Sequence, residues 1–350
     1  GQARVARAQR VSVIRPLAET DTTAIVGSGP AGLSCAYFLG LLGRSSVIFE
    51  ANRVPGGLLS TGIPPFRLPR EVLKERISDI VSSGSSLVLS TEIESAEELE
   101  GAGYRFVFLA TGAHAGRRLE VSGECEPGVL DALDYLQDFC LGEHAMSAHG
   151  KSVAVIGGGH TAFDAARAAA RSGAASVTVF YRRTVEEISA YQEEIEEALR
   201  ENVGLSPLSL PVSFRSEDGR LLGARMARMR LGEPDSEGRR VAVPVEGSFF
   251  DVECDLVIRA IGQELPEHRL TAGFPRSAWG GIAADYRTGE TSTSNVFAGG
   301  DCVLGASSVL RAIDSGKRAA LAIDERLGGT GRLPPELDRS IKRPFGLFNP

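Results

Sequence analysis

The hydrophobic pattern is one of short, unbroken apolar runs that stop abruptly at glycines. Ala24-Ile25-Val26 is the first of them. Without polar alternation, such a run predicts a strand buried on both faces of a parallel sheet. Gly27-Ser28-Gly29-Pro30-Ala31-Gly32 follows, then Leu33-Ser34-Cys35-Ala36-Tyr37-Phe38-Leu39, which suits a helix ending near Gly43. Val47-Ile48-Phe49 predicts the next strand, with Glu50 at its end. The same order recurs after Lys151. Val153-Ala154-Val155-Ile156 leads into Gly157-Gly158-Gly159-His160-Thr161-Ala162, an alanine-rich helix over 162–171 stopped by Gly173, and the strand Val177-Thr178-Val179-Phe180. Three further runs each end in a small-residue turn. Phe106-Val107-Phe108-Leu109 leads into Ala110-Thr111-Gly112, Leu256-Val257-Ile258-Arg259 into Ala260-Ile261-Gly262, and Val296-Phe297-Ala298 into Gly299-Gly300-Asp301.

Strand, glycine-rich turn, helix and strand in register form the fingerprint of a dinucleotide-binding unit, and it is present twice. In the first copy Gly27 allows the tight turn, Gly29 lets backbone approach a pyrophosphate, and Gly32 lets the helix pack on the sheet. The helix start offers free N–H groups and a positive dipole end to the phosphates. Glu50 is placed to accept hydrogen bonds from a ribose diol. The second copy carries Ala162 at the last turn position, and its following strand ends in Tyr181-Arg182-Arg183 with no acid. A 2′-phosphate calls for a guanidinium where a diol calls for a carboxylate, so the Arg pair tilts this copy toward NADP(H). The plainer alternative is two solvated surface charges beside an NAD(H) site. Two such units divide the work naturally between a resident flavin and a visiting nicotinamide.

Gly56-Gly57-Leu58-Leu59 and Gly62-Ile63-Pro64-Pro65-Phe66-Arg67-Leu68-Pro69 follow the first unit. The glycine pair allows backbone to reach the isoalloxazine, and the proline-rich stretch reads as a rigid loop over it. Asp301, at a strand end, is placed to accept from the ribityl chain. The helix after Ser307-Ser308-Val309 is expected to aim its N-terminus at the flavin pyrimidine. The acidic run Glu186-Glu187, Glu193-Glu194, Glu196-Glu197 reads as a solvated helix face or a partner surface.

Composition changes this picture little. The 350 residues are enough for two full cores, and 43% hydrophobic with 24% charged residues is ordinary for a globular protein. A net charge of −7 argues against nucleic acid as the main partner. No apolar run is long enough to span a bilayer, and the simplest home is the cytoplasm. The five cysteines form no C-x-x-C pair, which removes a thioredoxin-reductase-type dithiol and a conventional iron–sulfur or zinc cradle from this sequence. No metal site and no catalytic side chain are expected, because hydride transfer between stacked rings needs orientation rather than a nucleophile.

The start at Gly1 reads as processed or trimmed. Arg4, Arg7, Arg10 and Arg15 precede the first acid, Glu19, and read either as a linker or docking arm or as a transit peptide. The end, Arg343-Pro344-Phe345-Gly346-Leu347-Phe348-Asn349-Pro350, reads either as a docking tail or as a disordered terminus.

These residues resemble the glutamate synthase small (β) subunit family, which includes the flavin modules of dihydropyrimidine dehydrogenase and of bifurcating NADH-dependent ferredoxin:NADP oxidoreductase. The matches run in order across residues 22–327. They include residues 26–33, 56–59 with 62–64, 109–112, 127–129 with 132–136, 157–159, 181–184, 295–302 and 312–317. The resemblance implies an α/β fold with two Rossmann-type, glutathione-reductase-like dinucleotide-binding domains, the NAD(P)H domain inserted into a split FAD domain. The implied boundaries are an arm at 1–21, an FAD domain at 22–147 and 263–329, an NAD(P)H domain at 148–262 and a docking tail at 330–350. FAD is expected against Gly27, Gly29, Pro30, Ala31, Gly32, Glu50, Ala51, Gly57, Leu58, Arg67, Ala110, Thr111, Gly112, Gly300, Asp301, Ser308 and Val309. NADPH or NADH is expected against Gly158, Gly159, His160, Thr161, Tyr181, Arg182, Arg183, Ala260, Ile261 and Gly262.

Three departures from the family pattern stand out. A cysteine-free stretch occupies the place of the usual cysteine-rich iron–sulfur module. His160 replaces the typical Asn or Asp at the pyrophosphate turn. Ile188-Ser189 replaces Met-Pro after the Arg pair, which weakens the implied NADP preference. The leading expectation is an FAD- and NAD(P)H-dependent electron-transfer subunit exchanging electrons with an iron–sulfur partner. Its outlet is glutamate synthesis or a catabolic aldehyde or 2-oxoacid oxidoreductase that reduces NAD(P)+. A stand-alone NAD(P)H reductase and a scaffold that keeps FAD for structure are the competing readings.

Overall fold

The structure, a computed structural model, describes residues 22–235 and 238–334. The expected arm at 1–21 and residues 335–350 of the expected tail lie outside the described residues. In chain order the main elements begin with β1 (Thr23–Val26), α1 (Pro30–Leu41), β2 (Ser46–Phe49), α2 (Arg70–Ser82), β3 (Ser85–Val88) and β4 (Phe106–Leu109). Next come β5 (Val129–Asp131), α3 (Ala132–Leu141), β6 (Ser152–Ile156), α4 (His160–Arg171), β7 (Ser176–Phe180), α5 (Gln192–Arg200) and β8 (Gly204–Ser206). The chain ends through β9 (Ser209–Glu217), β10 (Arg220–Pro234), β11 (Arg240–Glu253), β12 (Leu256–Arg259), β13 (Val296–Ala298) and α6 (Val309–Arg326).

The chain divides into two compact units. The first takes in the described residues up to Leu59, Arg70–Ala113 and those from Leu265 onward. Its five-stranded sheet has the order β13-β4-β1-β2-β3, and every pairing is parallel. All four residues of β1, β2 and β4 are buried, as strands covered on both faces by crossover helices require. On one face α6 lies against α1. A Cβ at Gly316 would fall 2.1 Å from the carbonyl oxygen of Ala31, so the two helices meet at backbone distance. Phe38 and Leu39 of α1 are almost fully buried, each stabilising the unit by roughly 1.5–3 kcal/mol.

The second unit comprises Ser60–Pro69 and His114–Glu264. Its parallel sheet has the order β5-β12-β6-β7-β8. Apart from the source of the edge strand, this repeats the first sheet: the strand before the glycine turn is central, with its successors to one side. The edge strand comes from earlier in the chain here and from later in the chain in the first unit. Because β5 pairs with β12 and α3 packs on α4, residues 114–147 fold with the second unit, although the implied boundary at 147 assigned them to the first.

A three-stranded antiparallel sheet, β9-β10-β11, belongs to the second unit and was not legible in the sequence. Register shifts between Ala227 and Met229 and between Pro211 and Ser213 explain why. A bulge places two residues opposite one, so the period-two alternation is lost just where it would be read.

Candidate functional site

The first glycine turn lies at the carboxyl end of β1. Gly27 has φ +103°, and a Cβ there would come within 2.4 Å of the Ala110 carbonyl oxygen, so β1 and β4 present their following turns side by side. Gly29 is the N-cap of α1, with no side-chain hydrogen bond to cap it, Pro30 next in line and open space over its Cα. The first N–H groups of α1 and its positive dipole end therefore face open space beside Gly29, the arrangement that receives phosphate. By contrast, α3 and α6 are capped by the side chains of Asp131 and Ser308.

Other expected FAD contacts gather here. A Cβ at Gly57 would be 2.9 Å from Gly29 Cα, and the Gly56 N–H donates to Ser28 Oγ at 3.0 Å. A Cβ at Gly300 would be 2.8 Å from Ala31 Cβ, so the end of β13 joins the turn as well. Gly112 (φ +75°) borders open space. Asp301 accepts the Ser307 hydroxyl at 2.9 Å; burial raises its pKa, and that hydrogen bond partly offsets the rise. Thr111 and Leu58 are half-buried, Ala51 is exposed, and Val309 opens α6 behind Ser308, whose Oγ accepts the Arg311 N–H at 3.3 Å.

Glu50 stands at the end of β2 as expected, and it is buried. One carboxylate oxygen accepts the Ser28 N–H at 3.0 Å and hydroxyl at 2.5 Å; the other accepts the Asn52 N–H at 2.8 Å and side-chain amide at 3.0 Å. A ribose diol bound at this carboxylate would replace the side-chain donors of Ser28 or Asn52.

The second turn repeats the geometry. A Cβ at Gly157 (φ +147°) would lie 2.2 Å from the Ala260 carbonyl oxygen, as Gly27 stands to Ala110. Gly159 is the N-cap of α4, again without a side-chain cap. The Tyr181 ring lies across Gly158, where a Cβ would be 2.5 Å away, and its hydroxyl donates to the Glu187 carbonyl at 2.8 Å. Arg182 is exposed, while Arg183 is half-buried, its Nε without a hydrogen-bond partner among the described residues. Thr161, Ala260 and Ile261 are half-buried, and Gly262 (φ +120°) is exposed.

Arg67, expected against FAD, has its ion pairs within the second unit. The segment Ser60–Pro69 folds with the second unit, where Arg67 pairs with Asp164 at 2.6 Å and also with Glu194. Burial lowers the Arg67 pKa, but these partners hold it above its ordinary value. Burial likewise raises Asp164, against the pull of Arg67. Phe66 has the guanidinium carbons of Arg167 and Arg171 at 4.7 and 4.2 Å from its ring centre. The expected loop over the flavin is thus bound to α4 and α5. The acidic run is corrected too. Glu194 is only 8% exposed, and Glu197 pairs with Arg167, so α5 turns part of its acidic face inward onto basic partners. Periodicity missed this because those partners are Arg67, far away in the sequence, and Arg167, inside an alanine-rich helix.

Comparison with known proteins agrees with this geometry. Residues 21–316 match the pyridine nucleotide-disulphide oxidoreductase family. The chain is 42% identical over 335 residues to the NADP(+)-dependent formate dehydrogenase subunit beta of Moorella thermoacetica, covering 93% of this chain and 47% of the relative. It is 37% identical over 337 residues to the NADPH-Fe(3+) oxidoreductase subunit beta of Geobacter sulfurreducens, covering 87% and 49%. The match to the glutamate synthase [NADPH] small chain of Escherichia coli is 36% identical over 318 residues, covering 85% and 66%. The chain spans about half the length of the first two relatives. Among solved structures, Mycobacterium tuberculosis FprA in complex with NADPH is similar in fold, with a TM-score of 0.75 at 18% identity over 92% of this chain and 89% of that one. Thioredoxin reductase from T. acidophilum has a TM-score of 0.68 at 21% identity, covering 88% and 98%.

Fold and site together define a two-domain, Rossmann-type dinucleotide oxidoreductase. The chain belongs to the pyridine nucleotide-disulphide oxidoreductase family, whose members are FAD-dependent enzymes that use NADH or NADPH. All five cysteines are free in the structure. Among the described residues no helix is long and apolar enough to cross a membrane.

Proposed function

We propose that the chain is the FAD-bearing, NAD(P)H-linked electron-transfer subunit of a larger oxidoreductase, the first turn holding FAD and the second the nicotinamide dinucleotide. The observation that carries this reading is the pairing of two bare-glycine helix starts followed by opposite strand ends, Glu50 after β2 and Arg182-Arg183 after β7. When bound, the flavin supplies hydride exchange with nicotinamide. The chain's own groups bind and orient. The α1 and α4 N–H groups take the two pyrophosphates, Glu50 takes the adenosine ribose of FAD, and Asp301 takes the ribityl chain. Gly57, Ala110, Thr111, Gly112 and Gly300 leave room for the flavin end. Arg182 and Arg183 take the 2′-phosphate, making NADPH the preferred partner. Tyr181 lies over Gly158, and Ala260, Ile261 and Gly262 border the nicotinamide end, as Ala110 to Gly112 border the flavin.

The relatives named as beta or small subunits support assembly with partner subunits. With no paired cysteines in this sequence to take electrons onward, the chemistry favours an iron–sulfur partner. The test is acceptor choice. Under anaerobic conditions the FAD-loaded chain with NADPH should reduce a low-potential ferredoxin faster than a quinone or a disulfide. Preference for a small-molecule acceptor would instead assign a stand-alone reductase.

A further inference from the structure

His160 is the first residue of α4, directly after the bare N-cap Gly159. Its Nδ1 is 2.6 Å from Glu194 Oε2, and its ring packs on Tyr191 with centres 4.7 Å apart. An imidazole whose Nδ1 is given to a carboxylate carries its proton there and turns Nε2 the other way. The side chain remains 45% exposed, so Nε2 is free to address a ligand at the turn.

Glu194 is held from two sides. Its Oε2 also accepts the Tyr191 N–H at 3.3 Å, and its other oxygen pairs with Arg67, which reaches Asp164 as well. The charged groups around the imidazole are therefore Glu194 on α5, Arg67 on the 60–69 segment, and Asp164 and Arg167 further along α4. A carboxylate this close to a phosphate site would repel the ligand if it stood alone. Arg67 balances it, leaving Glu194 to orient the ring.

We propose that Glu194, clamped by Arg67, is a positioning residue for nicotinamide-dinucleotide binding: it accepts the Nδ1–H of His160 and fixes the ring's rotamer so that, with the second proton on Nε2, the Nε2–H donates to the pyrophosphate at the second glycine turn. This rests on the reading of that turn as the nicotinamide-dinucleotide site. A ring fixed through Nδ1 offers its Nε2–H, when both ring nitrogens carry protons, as one further donor to phosphate, in the place of a shorter amide or carboxylate. The contribution falls on binding rather than on hydride transfer, because the pyrophosphate is remote from the reacting ring.

The test is calorimetric titration of the FAD-loaded chain with NADP+ and NAD+, using Glu194→Gln, His160→Asn and the double variant, with a melting curve for each. Glu194→Gln should weaken dinucleotide binding about three- to tenfold with little change in the saturating rate of flavin reduction. The double variant should bind no more weakly than His160→Asn, since Glu194 acts through His160. Long-range nitrogen–proton NMR should show His160 protonated at Nδ1 in the wild type and altered in Glu194→Gln, a signature that general loss of stability does not produce. Additive losses in the double variant, or an unchanged affinity in Glu194→Gln, would overturn the positioning role. Failure of the wild-type chain to bind either dinucleotide would instead overturn the site reading beneath it.

Discussion

Gly27 and Ala110 meet so closely that a Cβ on Gly27 would sit 2.4 Å from the Ala110 carbonyl oxygen, and Gly157 stands to Ala260 in the same way at 2.2 Å. Each pair joins a glycine turn to the small-residue turn of the neighbouring strand, and each glycine has a backbone that other residues rarely adopt. Gly27→Ala therefore carries both a clash and strain, the strain alone on the order of 1–3 kcal/mol. Purified Gly27→Ala is expected to retain much less FAD per chain. Gly157→Ala should keep its flavin but bind nicotinamide dinucleotide at least about tenfold more weakly, equivalent to roughly 1.4 kcal/mol. Flavin absorbance and dinucleotide titration separate the two outcomes.

The Arg pair after β7 sets the choice of nucleotide. Replacing Arg182 and Arg183 with Ala should raise the KM for NADPH by about tenfold to a hundredfold, at roughly 1.5–3 kcal/mol for a charge-assisted hydrogen bond. The KM for NADH should stay within about twofold. Equal losses with both nucleotides would mean that the pair does not read the 2′-phosphate.

Glu124 gives the second unit an acid-sensitive anchor. Burial raises its pKa, but the N–H groups of Leu119 and Glu120, at 2.6 and 2.7 Å, and Arg259 at 2.6 Å outweigh that and hold it below the ordinary value. A lowered folded-state value means stability present above the unfolded pKa of about 4.3 and lost as pH falls through the folded one. Urea melts should show this loss below about pH 4. Glu124→Gln should remove part of that dependence and destabilise the unit near neutrality by about 3–5 kcal/mol, since Arg259 is left without its carboxylate.

Arg67 ties the 60–69 segment to α4 and α5. Arg67→Met would leave Asp164 and Glu194 without their shared cation, at a cost of about 1–3 kcal/mol for a pair partly open to solvent. Asp164 is already raised by burial, and the loss of Arg67 would raise it further. A group raised in the folded state contributes its stability at low pH and loses it as pH rises through the folded value. The destabilisation of Arg67→Met should therefore grow as pH rises above the ordinary carboxylate range, and Asp164→Asn in the same chain should relieve part of it. Hydrogen exchange across residues 60–69 reads the local effect.

The elements legible in the sequence were those in which local pattern and fold agree. Unbroken runs such as Ala24–Val26 and Val153–Ile156 announced central parallel strands, and glycine spacing located both helix starts. What stayed hidden depends on partners distant in the chain or on interrupted periodicity. Nothing local to Arg67 reports its pairing with Asp164 and Glu194. The bulges in β9 and β10 erased the alternation that would have shown the antiparallel sheet. Glu50 was legible as a strand-end acid, but its binding to Ser28 and Asn52 was not, because those bonds are set by side-chain geometry at the turn.

The proposed role of this chain is to pass hydride between nicotinamide and FAD, with NADPH as the favoured partner. Anaerobic stopped-flow mixing of the FAD-loaded chain with NADPH, and separately with NADH, tests it most directly through bleaching of the flavin band. Rapid bleaching by NADPH and markedly slower bleaching by NADH at equal concentration are expected. Bleaching by NADH alone would contradict the role given to Arg182 and Arg183, and bleaching by neither would contradict hydride transfer in this chain.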